Sequence, residues 1–123
     1  MGRGTGESVL IIDDQRDLRQ VLGSLLEAAG YATQTAANGI GALEAIRTRR
    51  PDVILLDWQL DDQPAGAELL GLLRGACGHI PIVVMSAHLD VAGRALDGGA
   101  DAFLGKPFRP GRLLALLAEQ LAR

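Results

Sequence analysis

The sequence predicts an α/β domain with a single five-stranded parallel sheet flanked by five helices. Three observations carry that expectation. Five short apolar runs alternate with stretches whose apolar residues recur every three or four positions, as in a chain of strand–helix–strand units. Three of the runs are continuous and aliphatic, as strands covered on both faces are. Many of the 16 glycines fall where the helical stretches must stop. The 123 residues amount to one domain of ordinary size, without an internal boundary or low-complexity tract.

The first strand is Val9–Ile12, and the first helix carries Leu18, Val21, Leu22, Leu25, Leu26 and Ala29 on one face before Gly30 ends it. Ala32–Thr35 is a weak second strand. The helix after it bears Ile40, Leu43, Ala45 and Ile46, with Pro51 just past its end. Val53–Leu56 leads into a helix marked by Leu69, Leu70, Leu73 and Cys77, and Ile82–Met85 into a short one over Val91–Leu96 that Gly98 and Gly99 close. Ala102–Leu104 is a weak fifth strand. The last helix begins near Pro110, a good first-turn residue, and presents Leu113, Leu114, Leu117 and Leu121 to the core. Leu116 lies off that stripe and is expected to be exposed, as a dimer or output contact. Gly-rich residues 1–7 are expected to form a flexible leader to a domain over 8–123.

Composition works by exclusion. Hydrophobic residues make up 48% of the chain, yet the rings are one Trp, one Tyr and two Phe, so Leu, Val, Ile and Ala must build the core. Cys77 is the lone cysteine; it excludes an internal disulfide and a multi-cysteine metal site, and is expected to be inert packing. No secretory pattern opens the chain, which makes the cytoplasm the expected compartment. Apolar runs such as Leu113–Ala118 fall far short of the ~20 residues of a membrane span, so no membrane contact is expected. A net charge of −3 argues against direct nucleic-acid binding.

Chemistry gathers where strands end. The first strand runs into Asp13 and Asp14, the third into Asp57, the fourth into Ser86, and the fifth into Gly105, Lys106 and Pro107. In an open parallel sheet the carboxyl ends of the strands form the binding crevice. If the first and third strands are neighbours, three carboxylates converge there. Like charges about 4 Å apart repel by roughly 4 kcal/mol at an effective dielectric of 20, a cost that a divalent cation removes. An all-oxygen ligand set selects Mg²⁺ or Mn²⁺, and nothing here offers the His or Cys ligands zinc prefers. With Lys106 as a compact cation and Ser86 as a hydroxyl donor, the set suits phosphoryl transfer to an aspartate.

From about Ser8 to its last residue the chain resembles the receiver domain of two-component response regulators. The matching signs are Val9–Leu10–Ile11–Ile12–Asp13–Asp14, Leu55–Leu56–Asp57–Trp58, Val84–Met85–Ser86–Ala87, Gly99–Ala100–Asp101–Ala102–Phe103 and Lys106–Pro107–Phe108. Each is weak alone; all five in order are highly specific. The resemblance implies a flavodoxin-like fold with strand order 2-1-3-4-5. It implies that Asp57 accepts a phosphoryl group from a histidine kinase or histidine phosphotransfer protein. Asp13, Asp14, Asp57 and the Gln59 backbone carbonyl would then hold Mg²⁺ or Mn²⁺, and Lys106 would pair with the phosphoryl group. Ser86 and Phe103 would be the switch residues, Gln59 and His88 would tune dephosphorylation, and the Lys106–Pro107 peptide bond would be cis. Such a domain is a phosphoacceptor rather than a conventional enzyme, promoting its own phosphotransfer and slow autodephosphorylation. It signals through the face of its fourth helix, fifth strand and fifth helix, to an output partner or a second copy. Leu18 and Val21 on the first helix are expected near the kinase contact. The chain is expected to act as a stand-alone regulator or as the receiver of a hybrid kinase or larger regulator.

Taken singly, these residues have blander readings. Asp14 and Asp57 serve equally well as helix caps, Ser86 as a turn residue, Lys106 as a solvated charge and Phe103 as core filler. His79 reads as a surface residue. Two departures from the family pattern stand out. Asp61 occupies the place of the usual proline four residues after Asp57, and Gly66 comes one residue late, which lengthens an acidic loop. Ser86 replaces the more frequent Thr, and Phe103 lacks a phenolic hydroxyl. The alternative function is a phosphorylation-independent pseudo-receiver. A haloacid-dehalogenase-type phosphatase would want a second Asp where Gln59 stands, and a flavodoxin-like redox carrier would need a hydroxyl- and glycine-rich phosphate loop, which does not follow the first strand here.

Overall fold

The computed structural model describes residues 4–123. Along the chain come β1 (Ser8–Ile12), α1 (Arg16–Ala28), β2 (Ala32–Ala36), α2 (Gly39–Thr48), β3 (Val53–Asp57), α3 (Gly66–Cys77), β4 (Ile82–Ser86), α4 (Val91–Asp97), β5 (Ala102–Gly105) and α5 (Pro110–Leu121). All pairings are parallel and the sheet order is β2-β1-β3-β4-β5. β1, β3 and β4 are central and buried along their whole length, which is why they read as unbroken aliphatic runs. β2 and β5 are the edges. One flank of each lies open, and each mixes buried residues with partly exposed ones, so their apolar signal is diluted.

Alternate residues of the strands feed two cores. Leu10, Ile12, Ile54, Leu56, Ile82 and Val84 face α2, α3 and α4, whereas Val9, Ile11, Val53, Leu55, Val83 and Met85 face α1 and α5. On α3, Leu69, Leu70, Leu73 and Cys77 are all buried, as their spacing predicts, and the Cys77 thiol is pushed up in pKa chiefly by that burial.

Three helices differ from their predicted faces. Leu116 is only 4% exposed and packs with Leu113 and Leu117, so it is not a surface contact. The inward stripe of α5 is Leu113, Leu116, Leu117 and Gln120, the i, i+3, i+4, i+7 set. A polar Gln120 on that stripe hid its phase, while Leu114 and Leu121 are only partly buried. On α1 the buried residues are Leu22, Gly23 and Leu26, and Val21 is 62% exposed. Ile40 on α2 likewise faces outward, at 60% exposure.

Of the leader expected over 1–7, residues 1–3 lie outside the described residues. Gly4 and Gly6 donate backbone hydrogen bonds to Ala29 (2.6 Å) and Gly30 (2.9 Å), and Ala32 N–H donates to Glu7 (2.9 Å). The α1–β2 turn holds this segment through its backbone groups.

Candidate functional site

Register builds the site. Ile12 lies opposite Leu56 in the β1–β3 pair, so the next residues, Asp13 and Asp57, come level at the carboxyl edge. Asp57 pairs with Met85, and Ser86 with Gly105, which sets Ser86 and Lys106 on the same rim. Asp57 and Ser86 are each the last residue of their strand. Their backbones are fixed by the ladder while their side chains reach the crevice. The turn beyond β5 is held by the Lys106 N–H donating to the Ser86 carbonyl at 2.8 Å. The Lys106–Pro107 peptide bond is cis, as is Gln63–Pro64 in the β3–α3 loop.

One carboxylate oxygen each from Asp13, Asp14 and Asp57 lie within 4.8 Å of one another. Asp13 is fully buried and Asp57 nearly so, while Asp14 is half-buried. Lys106 Nζ stands 3.4 Å from Asp13 Oδ2 and 3.5 Å from Asp57 Oδ1, bridging the two buried charges. Asp13 Oδ1 accepts the Gln15 N–H at 2.9 Å, and the Arg19 guanidinium donates to the Asp13 carbonyl at 2.7 Å. Asp57 Oδ1 accepts the Gln59 N–H at 3.3 Å. Burial pushes the Asp57 carboxyl up to about 6; Lys106 and the Gln59 N–H pull it down, and Asp13 pushes it further up.

The oxygen-only donor set fits a hard divalent cation. Three carboxylate oxygens that lie within 4.8 Å of one another are near enough to share one such ion. A cation there would neutralise charge that Lys106 alone offsets only in part.

Ser86 is fully buried, and its hydroxyl donates to Gln59 Oε1 at 2.8 Å while accepting the His88 N–H at 3.0 Å. The two residues two places beyond Asp57 and Ser86 therefore meet at the serine hydroxyl, His88 through its backbone. The His88 side chain is exposed. Phe103 on β5 is half-buried against the α2–α3–α4 core. Gly105 lies between it and Leu89: an added Cβ would stand 3.1 Å from Leu89 Cδ2 and 3.8 Å from the Phe103 ring. Leu89, 73% exposed beside the site, escaped sequence reasoning because it falls in a loop outside any periodic stripe. The Asp61 N–H donates to Asp14 Oδ2 at 2.9 Å, and the Asp61 carboxyl, lying against that of Asp14, is raised in pKa by it. Its only sequence signal was a carboxylate where a proline was expected.

The profile of the response regulator receiver domain matches residues 9–118. The chain belongs to the response regulator receiver family. This receiver is 35% identical to the nitrogen assimilation regulatory protein NtrX of Azorhizobium caulinodans, over 92% of the chain and 26% of that protein. It is 40% identical to the transcriptional regulatory protein KdpE of Mycobacterium tuberculosis, over 94% of the chain and 51% of KdpE. The receiver thus spans about half, or less, of these curated relatives. Among solved structures it resembles the Vibrio cholerae chemotaxis protein CheY4, with a TM-score of 0.86 and 30% identity over 94% of this chain and 98% of that one. Among the described residues, no helix is long and apolar enough to cross a membrane.

Proposed function

We propose that this receiver accepts a phosphoryl group on Asp57 from a histidine kinase or phosphotransfer protein, with Mg²⁺ or Mn²⁺ held by Asp13, Asp14, Asp57 and the Gln59 carbonyl. The observation that carries the reading is the convergence of three carboxylates with Lys106 at the carboxyl edge of adjacent strands. Asp57 Oδ attacks phosphorus and the bond to the donor nitrogen breaks, so the acyl phosphate forms as the histidine leaves. The cation supplies charge neutralisation for the phosphoryl oxygens. This chain's residues hold the nucleophile, orient it and exclude competing water.

Lys106, whose Nζ stands 3.5 Å from Asp57 Oδ1, lines an apolar groove of about 430 Å³ together with Leu18, Val21, Leu22, Ala87, Phe108 and Pro110. The groove suits the apolar face of a helix that presents the phosphohistidine, and it gives the exposed Val21 a role. After transfer, Ser86 releases Gln59 and donates to a phosphoryl oxygen, as does Lys106. Hydrogen bonds to charged groups contribute roughly 1.5–3 kcal/mol each. Two of them approach the ~5.5 kcal/mol that moves a two-state equilibrium from 1:99 to 99:1. The rearrangement reaches α4, β5 and α5 through Phe103, on whose face an output partner or second copy binds. Under this reading the chain works in the cytoplasm, alone or as part of a larger regulator or hybrid kinase.

Acetyl phosphate with Mg²⁺ is expected to add one phosphoryl group, mapped by mass spectrometry to the peptide holding Asp57. Beryllofluoride with Mg²⁺ is expected to shift the amide spectra of α4, β5 and α5. Absence of both results would favour the phosphorylation-independent pseudo-receiver. Gln59 and His88 flank the path of attacking water, so alanine at both positions is expected to change the decay rate of the phosphorylated form. An unaltered decay would remove them from that role.

A further inference from the structure

The β3–α3 loop does more than connect. It begins right after Asp57, and Gly39, the buried first residue of α2, seats it. A Cβ on Gly39 would stand 2.7 Å from the Pro64 carbonyl oxygen and 3.0 Å from Pro64 Cγ, so only glycine lets the loop lie this close. Asn38 caps the same helix end by accepting the Gly41 N–H at 2.8 Å. On this seated loop the Asp61 N–H donates to Asp14 Oδ2 at 2.9 Å, which reaches across 47 positions of sequence. Proline at position 61 would have no such donor. Asp61 remains exposed, and the same hydrogen bond places this fourth acidic residue beside Asp14.

We propose that Asp61 sets the affinity of the carboxylate cluster for a divalent cation, its N–H fixing the orientation of Asp14 and its carboxylate adding charge beside the ion. This rests on reading Asp13, Asp14 and Asp57 as the Mg²⁺ site. The two contributions act in one direction once a cation is present. The bond removes rotational freedom from a half-buried ligand. The charge attracts a dication but repels Asp14 when the dication is absent. Charge at an exposed position is sensitive to salt, whereas the backbone hydrogen bond is not.

Titration of the full chain with MgCl₂, followed by calorimetry and by fluorescence of Trp58, its single tryptophan, separates these contributions. Asp61→Asn keeps the N–H and removes the charge. It is expected to raise the Mg²⁺ Kd by about threefold to tenfold at low ionic strength, the range for a unit charge roughly 6 Å from a dication in a water-like medium. That loss is expected to shrink at about 1 M salt, and Asp61→Glu is expected to restore most of the affinity. Asp61→Pro removes both contributions and is expected to bind more weakly than Asp61→Asn, with a deficit that persists in salt. Asp62→Asn, the same charge change without a hydrogen bond to Asp14, is expected to have the smaller effect. In EDTA, Asp61→Asn is expected to melt no lower than the wild type, because a like-charge contact is relieved. Equal Mg²⁺ affinity for Asp61→Asn and wild type, or a deficit unmoved by salt, would overturn the proposal. A wild-type chain that binds no Mg²⁺ would instead overturn the cation-site reading itself.

Discussion

Asp57→Asn is expected to abolish phosphoryl uptake while making the metal-free protein more stable at neutral pH. Asparagine offers no carboxylate nucleophile, so acetyl phosphate and Mg²⁺ should leave the mass of the variant unchanged. The stability gain follows from the direction of the pKa shift. Burial leads the causes that raise Asp57 from 3.8 to about 6, outweighing Lys106. A carboxyl whose pKa is higher in the folded than in the unfolded chain contributes stability that is fully present below about pH 4 and is lost as pH rises through about 6. At pH 7 the wild type therefore carries an ionised, nearly buried Asp57, a burden of up to about 3 kcal/mol that Asn does not have. Urea unfolding in EDTA at pH 7 should show Asp57→Asn ahead by about 1–3 kcal/mol, with the gap closing toward pH 4. Mg²⁺ should reverse the order by stabilising the wild type more than the variant. A variant less stable than wild type in EDTA at pH 7 would mean that the Lys106–Asp57 pair outweighs burial.

The same residues show what sequence makes legible. Asp57 and Ser86 could be read because each terminates an unbroken aliphatic run, and a buried parallel strand must stop before a polar residue can reach solvent or ligand. The convergence of Asp13 with Asp57 needed the β1–β3 adjacency, which residue pattern leaves open and the family resemblance supplies. β2 and β5 gave faint signals because an edge strand buries less of its surface. Helix phase was the weaker inference. On α5 an inward Gln120 and a leucine-rich sequence fit two stripes about one position apart, which misplaced Leu116. On α1, Val21 and Leu22 are adjacent and apolar, yet only Leu22 turns inward. Contacts set by loop path were beyond reach. The Asp61–Asp14 bond and the Ser86–Gln59 bond join residues 47 and 27 positions apart through turns that no periodicity describes.

Lys106→Met should separate the charge of the site from its signal. Methionine keeps most of the aliphatic stem and removes the ammonium. Three carboxylates then share the crevice, and among the described residues the fully buried Asp13 retains only the Gln15 N–H at its side chain. Breaking a buried pair by removing one partner costs about 3–5 kcal/mol in general. Lys106 keeps 22% of its side chain exposed, and both contacts are long, so a loss of about 2–3 kcal/mol in EDTA is expected. Saturating Mg²⁺ should recover much of it, since about 2.7 kcal/mol is gained at 100 times Kd. Lys106 lowers the Asp57 pKa, so its removal should move the acid limb of phosphoryl uptake upward, by about one pH unit at fixed Mg²⁺. Uptake itself should survive at higher pH, because the nucleophile and the proposed cation ligands are intact. The response at a distance should not. Lys106 directly follows β5, whose Gly105 pairs with Ser86, and in the proposed mechanism its ammonium is the direct tie between the phosphoryl oxygens and that strand. Beryllofluoride with Mg²⁺ should then bind Lys106→Met yet leave the amide resonances of β5 and α5 near their unbound positions. A full spectral response in this variant would transfer the switch to Ser86 alone.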